Sequence, residues 1–502
     1  MVRLPPRRAA WMAISCAAAV AGCSPAPSAG PAVGAASPVA PALDLTAGQR
    51  AFDLLHMGQA RDAFAAAARS NPQAPLPQAY LALAWNASGG APEAMAAAVR
   101  LAASAPPAVR ARVEAARAWA AYDFDGAARA LDGVIAAAPG DAHAWLERGL
   151  LRLRQRRFDD AANDVGHALQ ADPTLAAARP HLARALLGAG RVEEARVTAA
   201  EGVQALPEEP LSHLVQCEVL RRTNDTSAAT SACGRAIALD PGNVTAFQGR
   251  AYVHRDREDF AAARDDFKAA FAVASALPDT AYKDLMLDWA KAEDISFDVA
   301  MTYLLEDRWR EGERAAEETA AFTQRTRAAN AVFYYDALGR IYLQNGKPRE
   351  AARAYQRGHE SIEQVQGVPE DERTLWRGRW VHGIGRAHAR AGRFREAHAQ
   401  ADALEKMIRD AGPKGEPYRP SLRYMRGYIL LEERMYDEAL AELRHAKTND
   451  VYIQWLTARA LEGSGDHAAA RKIVESLRGQ QAAGLGYALV RREILAWPRR
   501  RA

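Results

Sequence analysis

An apolar residue, two further residues and then an alanine recur along this chain at a fixed interval. The phrase reads Phe158-Asp159-Asp160-Ala161, Val192-Glu193-Glu194-Ala195 and Phe260-Ala261-Ala262-Ala263. Its alanine stands at Ala127, Ala161, Ala195, Ala229 and Ala263, each 34 residues after the last (161 − 127, and so on). Twelve residues after the first four of these (139 − 127) come Pro139, Pro173, Pro207 and Pro241. A strict period of this length predicts stacked helical hairpins rather than a compact enzyme domain. Two antiparallel helices approach closely only where both present small residues, here Gly149 against Ala161 or Ala183 against Ala195. Larger residues such as Trp145, Phe158 and Phe267 fill the space beside that contact. Each proline ends the second helix, because it lacks a donor and disfavours helix at the residue before it.

The phrase continues outward with looser spacing. Upstream it is placed at Ala63 and Ala94, and downstream at Ala351, Ala397, Ala439 and Ala470, with Gly312 standing for the alanine after Trp309-Arg310-Glu311. These positions, with Trp145…Gly149…Arg152 and Ala168-Leu169-Gln170-Ala171-Asp172-Pro173, resemble the tetratricopeptide repeat. The resemblance implies an all-α fold, a right-handed superhelical α-solenoid of about twelve hairpins over roughly residues 47–480. Function does not follow from it, because the family is defined by architecture. After Ala263 the intervals lengthen to 49, 39, 46 and 42 (312 − 263, 351 − 312, 397 − 351, 439 − 397). Longer helices or extra turns are therefore expected in the second part. The organisation expected is a regular array over 47–275, a break at Ser275-Ala276-Leu277-Pro278-Asp279, a longer-period array over 276–480 and a basic tail over 481–502.

The N-terminus changes the picture most. Arg3, Arg7 and Arg8 precede an uncharged stretch over 9–22, which closes on Val20-Ala21-Gly22-Cys23. A short apolar run after arginines, ending in small residues, reads as a signal peptide (residues 1–22). The last four residues resemble a bacterial lipobox, with valine where leucine is commonest. That resemblance implies a lipid on Cys23 and attachment to the periplasmic face of the outer membrane, Ser24 following the cysteine. An ordinary secretory signal with an incidental Cys23 is the other reading. Residues 23–46 are rich in Pro, Ala and Gly and carry no charge until Asp44, as a tether would.

Charge excludes little beyond bulk nucleic-acid binding: 65 basic against 61 acidic residues give a net +4. Of four cysteines, Cys16 leaves with the signal and Cys23 takes the lipid. Cys217 and Cys233 occupy the repeat positions of Gly149 and Val165, which face each other across a hairpin. A disulfide suits an oxidising compartment, and two buried thiols are the alternative. No cysteine or histidine cluster has metal-ligand spacing, and no cofactor is expected. Phosphate loops, His-Glu-x-x-His and Gly-x-Ser-x-Gly are missing from the sequence, so no catalytic residue is expected. His382, His388 and His398 read as satisfied or exposed.

A partner is expected on the first helices of the hairpins, which line the concave face in the family. Their outward stripe includes Arg112, Trp119, His143, Leu150, Arg154, Arg184, Arg221, Arg222, Tyr252 and Arg255. In the second part it includes Phe333, Arg340, Arg379, His382, Arg386, Arg390, Tyr424 and Tyr428. Arginine and aromatics are favoured at binding hot spots, and arginines suit an acidic peptide, a carboxylate or an anionic polymer. The reading is an envelope-anchored scaffold or assembly factor binding a protein or peptide. The alternatives are an accessory to anionic-polysaccharide export or synthesis, and a regulatory subunit of an enzyme complex.

Overall fold

The computed structural model describes residues 44–85, 91–276, 291–479 and 484–497. Cys23 and most of the expected 275–279 break lie outside the described residues. The described residues form 25 α-helices and no strand. They pair in chain order, beginning with α1 (Thr46–Asp53) and α2 (Met57–Ser70), then α3 (Pro75–Ala84) and α4 (Pro92–Ala102). The regular repeats follow as α5 (Pro107–Ala120) and α6 (Phe124–Ala137), then α7 (Ala142–Arg154) and α8 (Phe158–Ala171). Next come α9 (Ala178–Gly188), α10 (Val192–Ala205), α11 (Pro210–Arg222), α12 (Thr226–Leu239), α13 (Val244–Asp256) and α14 (Phe260–Ala276). The second array opens with α15 (Ala292–Leu305), α16 (Trp309–Thr326), α17 (Ala328–Gln344), α18 (Pro348–Glu363), α19 (Glu370–Arg390) and α20 (Phe394–Asp410). It closes with α21 (Arg419–Glu432), α22 (Tyr436–Leu443), α23 (Val451–Ser464), α24 (His467–Arg478) and the unpaired α25 (Leu485–Ala496).

The recurring phrase marks where each second helix begins. Helices α6, α8, α10 and α14 start on its apolar residue, and the alanine three positions on is 0% exposed in all five regular repeats. The second helices end at Ala137, Ala171, Ala205 and Leu239, two residues before each proline. The intervening residue leaves helical geometry, with ψ of 79°, 95°, 68° and 91° at Ala138, Asp172, Leu206 and Asp240. Between the helices of a hairpin the chain passes through a left-handed residue: Tyr122, Arg156, Gly190, Asn224 and Glu258, with φ of 60–79° and again 34 apart. Glycine occupies one of the five, so the other four hold a conformation that costs a side chain.

Three expectations of register are corrected. The buried upstream alanines are Ala60 and Ala98, at 0% exposure, while Ala63 and Ala94 are half-buried. Helix α2 starts at Met57, so its fourth residue is Ala60; α4 makes its contact one turn further along. Gly149 faces Val165 rather than Ala161, and a Cβ there would come within 2.6 Å of the Val165 side chain. Downstream, Ala351, Ala397, Ala439 and Ala470 are fully buried, and Gly312 sits where a Cβ would meet Leu304 at 2.8 Å. Helices α16 to α20 run 16 to 21 residues against 13 or 14 for most of the regular ones, which lengthens the intervals from 312 to 351 and from 351 to 397.

The arrays are continuous. Arg264 of α14 pairs with Glu306 at 2.6 Å, and Tyr252 of α13 donates to Asp298 of α15 at 2.8 Å. The segment expected to be a basic tail instead contains helix α25, whose Tyr487, Leu489, Val490 and Ile494 join the core of the second array. Arg491 donates to the Leu305 carbonyl at 2.7 Å and to Glu258 at 2.8 Å, tying the end of the chain to the junction of the arrays. No helix of the described residues is long and apolar enough to cross a membrane.

Candidate functional site

Curvature of the first array brings its beginning onto its own concave face. The turn after α1 reaches α7, α9 and α11. The Asp53 carboxylate lies 3.0 Å from His143, and its carbonyl accepts from His181 at 2.7 Å. His56 pairs with Glu209 at 3.0 Å, and Phe52 packs edge-on against Trp119 with centroids 5.7 Å apart. Trp119 and Leu150 are therefore core residues, contrary to their expected place on an open groove.

The first-array arginines are also committed. Arg112 meets Asp141 at 2.6 Å, Arg184 makes a two-pronged contact with Glu218, and Arg221 meets Asp256 at 2.6 Å. Arg255 is buried against Asp298 at 3.6 Å and over the ring of Tyr252. Arg154 lies over Phe124, and Arg222 remains exposed. The pairs form a ladder in which an arginine on one first helix meets a carboxylate on the next. Opposite charges one repeat apart, as in Arg184 and Glu218 (218 − 184 = 34), were the signal in the sequence that this row is structural. In the second array Arg390 follows the same rule with Glu432 at 3.1 Å, and Tyr428 is buried at 2% exposure.

A second arrangement sits on α17, α19, α21 and α23. Their concave side encloses a cavity of about 930 Å³, lined among others by Arg340, Arg379, Arg386, His382, Tyr424 and Tyr452. The two short 3-10 turns Gly412–Lys414 and Glu416–Tyr418 form part of its wall. Among the described residues no carboxylate lies within 4 Å of the three guanidinium groups. Arg386, only 3% exposed, donates to the hydroxyl oxygens of Tyr424 at 2.8 Å and Tyr355 at 3.2 Å, while its Nε has no partner. Burial opposes its charge, but Tyr355, Tyr424 and Asp336 outweigh that and push its pKa up, so it stays cationic. Arg340 lies 5.9 Å from the Tyr452 ring centre, and Arg379 stacks 4.5 Å from that of Trp376.

His382 meets the expectation of a satisfied histidine only in part. It hydrogen-bonds the Ser421 backbone, while its Nε2 is buried without a partner. Burial first, then Arg386, Arg340 and Arg379, push its pKa well below the ordinary value, so the ring is neutral. Arg340, Arg379, Arg386 and Tyr424 were legible as an outward stripe. Tyr452 and Asp336, which line the cavity, and Tyr355, which accepts from Arg386, were not, since they come from core or neighbouring positions without a periodic mark.

Cys217 and Cys233 lie with sulfurs 2.02 Å apart and Cα atoms 5.3 Å apart, at disulfide distance and buried. Gly249 of the next repeat leaves room for them: a Cβ there would lie 3.1 Å from the Cys233 sulfur.

Two family models, each described as tetratricopeptide repeat, match residues 112–176 and 152–216. Residues 112–216 carry tetratricopeptide repeats. Among solved structures, the chain is similar to PilW, a widely conserved type IV pilus biogenesis factor, at 17% identity, with 43% of this chain and 92% of that one covered and a TM-score of 0.35. It is also similar to a thermophilic tetratricopeptide-repeat protein of Thermus thermophilus at 16% identity, covering 36% and 94%, with a TM-score of 0.30. The anaphase-promoting-complex hetero-tetramer Cut9–Hcn1 aligns at 12% identity over 86% of this chain and 74% of that one, with a TM-score of 0.37. No curated protein matches the chain.

Proposed function

We propose that the protein is a non-enzymatic scaffold of the bacterial cell envelope, held by a lipid on Cys23, whose protein partner docks at the mouth of the second-array cavity. The repeats support partner binding as such, because stacked hairpins present a long preformed surface. The observation that carries the placement is the contrast between two sets of arginines. Arg112, Arg184, Arg221 and Arg255 of the first array are spent on the ladder between repeats, whereas Arg340, Arg379 and Arg386 meet no carboxylate among the described residues. On the cavity lining Arg379 is exposed and Tyr418 is 44% exposed, and Arg379 stacks on Trp376, which Phe333 (49% exposed) packs against. Aromatic rings with a guanidinium at one rim suit a partner segment carrying acidic side chains. An anionic polysaccharide would need an unbroken row of unpaired cations, which the ladder removes.

The test places a photo-crosslinking residue at Tyr418 in the full-length chain, expressed in a Gram-negative host. Expected is a light-dependent adduct with an envelope protein, lost when Cys23→Ser abolishes anchoring. The control is Val197, 51% exposed on a second helix of the first array. Equal adducts from both positions, or none from Tyr418, would overturn the placement.

A further inference from the structure

The floor of the same cavity carries chemistry that a docked protein surface does not use. Arg386 is sealed at the bottom with an unpartnered Nε, and the buried His382 Nε2 beside it is unpartnered as well. The Tyr424 hydroxyl accepts from Arg386, which leaves its own proton to donate. Arg386 Nε is thus a buried donor without an acceptor, which is costly to leave unmet, and Arg386, His382 and Tyr424 all line the cavity.

Charge selects the ligand. Over the whole lining Arg340, Arg379, Arg386, Lys414 and Lys447 carry five positive charges, Asp336, Glu370, Asp371 and Asp450 carry four negative ones, and His382 is neutral (5 − 4 = 1). The remainder is a single positive charge, matched by a monoanion rather than by a doubly charged phosphate. A planar carboxylate fits the fork of a guanidinium. Above the floor the walls are Leu375, Leu404, Met407, Ile408 and Ile453, so the body of the ligand is apolar. Tyr452 of α23, which lines the cavity, donates to Gln344 of α17 at 2.8 Å, and Gln344 donates to Glu493 of α25 at 2.8 Å, so helices at two edges of the cavity are bridged. A volume of about 930 Å³ lies within the range of small-molecule sites.

We propose that the floor binds a small-molecule monocarboxylate with an apolar body, an alkanoate or arylalkanoate, its carboxylate held by Arg386 and Arg340 with the Tyr424 hydroxyl. This goes beyond the scaffold reading, since it concerns a ligand beneath the docking mouth.

The experiment is titration calorimetry on the purified full-length chain with octanoate, decanoate and 4-phenylbutyrate, each beside its primary amide. Expected is saturable binding of at least one carboxylate and none of its amide. Arg386→Met should weaken that binding by about tenfold or more. If that variant fails to fold, Arg340→Gln at a half-buried position gives the same readout. The proposal is overturned if no carboxylate of the set binds, if an amide binds equally well, or if affinity survives both substitutions. The two readings separate cleanly. A Tyr418 adduct without carboxylate binding sinks this site alone, and carboxylate binding without an adduct sinks the docking mouth alone.

Discussion

Acidification should loosen the turn that fills the first-array groove, through His181. This ring is 1% exposed, donates from Nε2 to the Asp53 carbonyl and has no partner on Nδ1. Burial foremost, with a smaller push from Arg184, lowers its pKa from 6.5 to about 4. The folded pKa lies below the unfolded one, so the undocked state takes up the proton first as pH falls. Stability is unaffected above pH 6.5, declines from there to pH 4 and is level below. The whole shift corresponds to about 3 kcal/mol, of which about 2 kcal/mol has gone by pH 5. His56 and His143 act in the opposite sense. Hydrogen bonding to Glu209 raises the first, and Asp53 raises the second against the cost of burial. Their contribution is present in acid and lost as pH rises through their folded pKa values. His181→Gln isolates the single ring, because the amide still donates to Asp53 but does not titrate. Amide hydrogen exchange across α1, corrected for intrinsic rates, measures docking at pH 7.5 and pH 5 in both proteins. The parent should lose about 2 kcal/mol more protection than the variant. Equal losses in the two proteins would refute the assignment.

Two further outcomes follow from the packing. Asp164 is 1% exposed and accepts from Arg148 at 2.9 and 2.7 Å and from Arg152 at 2.6 Å, so Asp164→Ala strands Arg152 and leaves Arg148 with Asp132 alone. A loss of about 3–5 kcal/mol is expected in urea denaturation, against less than about 1 kcal/mol for Glu114→Ala in an exposed pair with Arg117. The Cys217–Cys233 bridge spans a separation of 16 residues, for which loop closure contributes about 3 kcal/mol. Reductant should lower the thermal midpoint of the parent and leave a Cys217→Ala, Cys233→Ala double variant unmoved; a parent indifferent to reductant contradicts the bridge.

Hairpin positions were legible because one small residue per repeat must sit at the helix crossing, and the period exposes it. The register failed at Ala63 and Ala94, where the first helices α1 and α3 are short. Groove occupancy was not legible at all. Asp53 meets His181 across 128 residues because the superhelix curves, and curvature leaves no local trace in the sequence. The stripe was a sound guide to which residues face inward. What it could not tell is whether each finds a carboxylate one repeat on, as Arg184 does, or a tyrosine, as Arg386 does.

Helix α25 has a consequence for how the molecule is made. Stacked repeats ordinarily fold by local contacts, each unit templating the next as it leaves the ribosome. Here Arg491 grips residues 186 and 233 positions earlier, and Gln344 waits for Glu493, 149 positions later. These contacts therefore wait until the residues of α25 have been made. Such distant closure is slow relative to helix pairing. Helix α25 thus acts as a clasp, fastening the far end of the second array back onto its first hairpin.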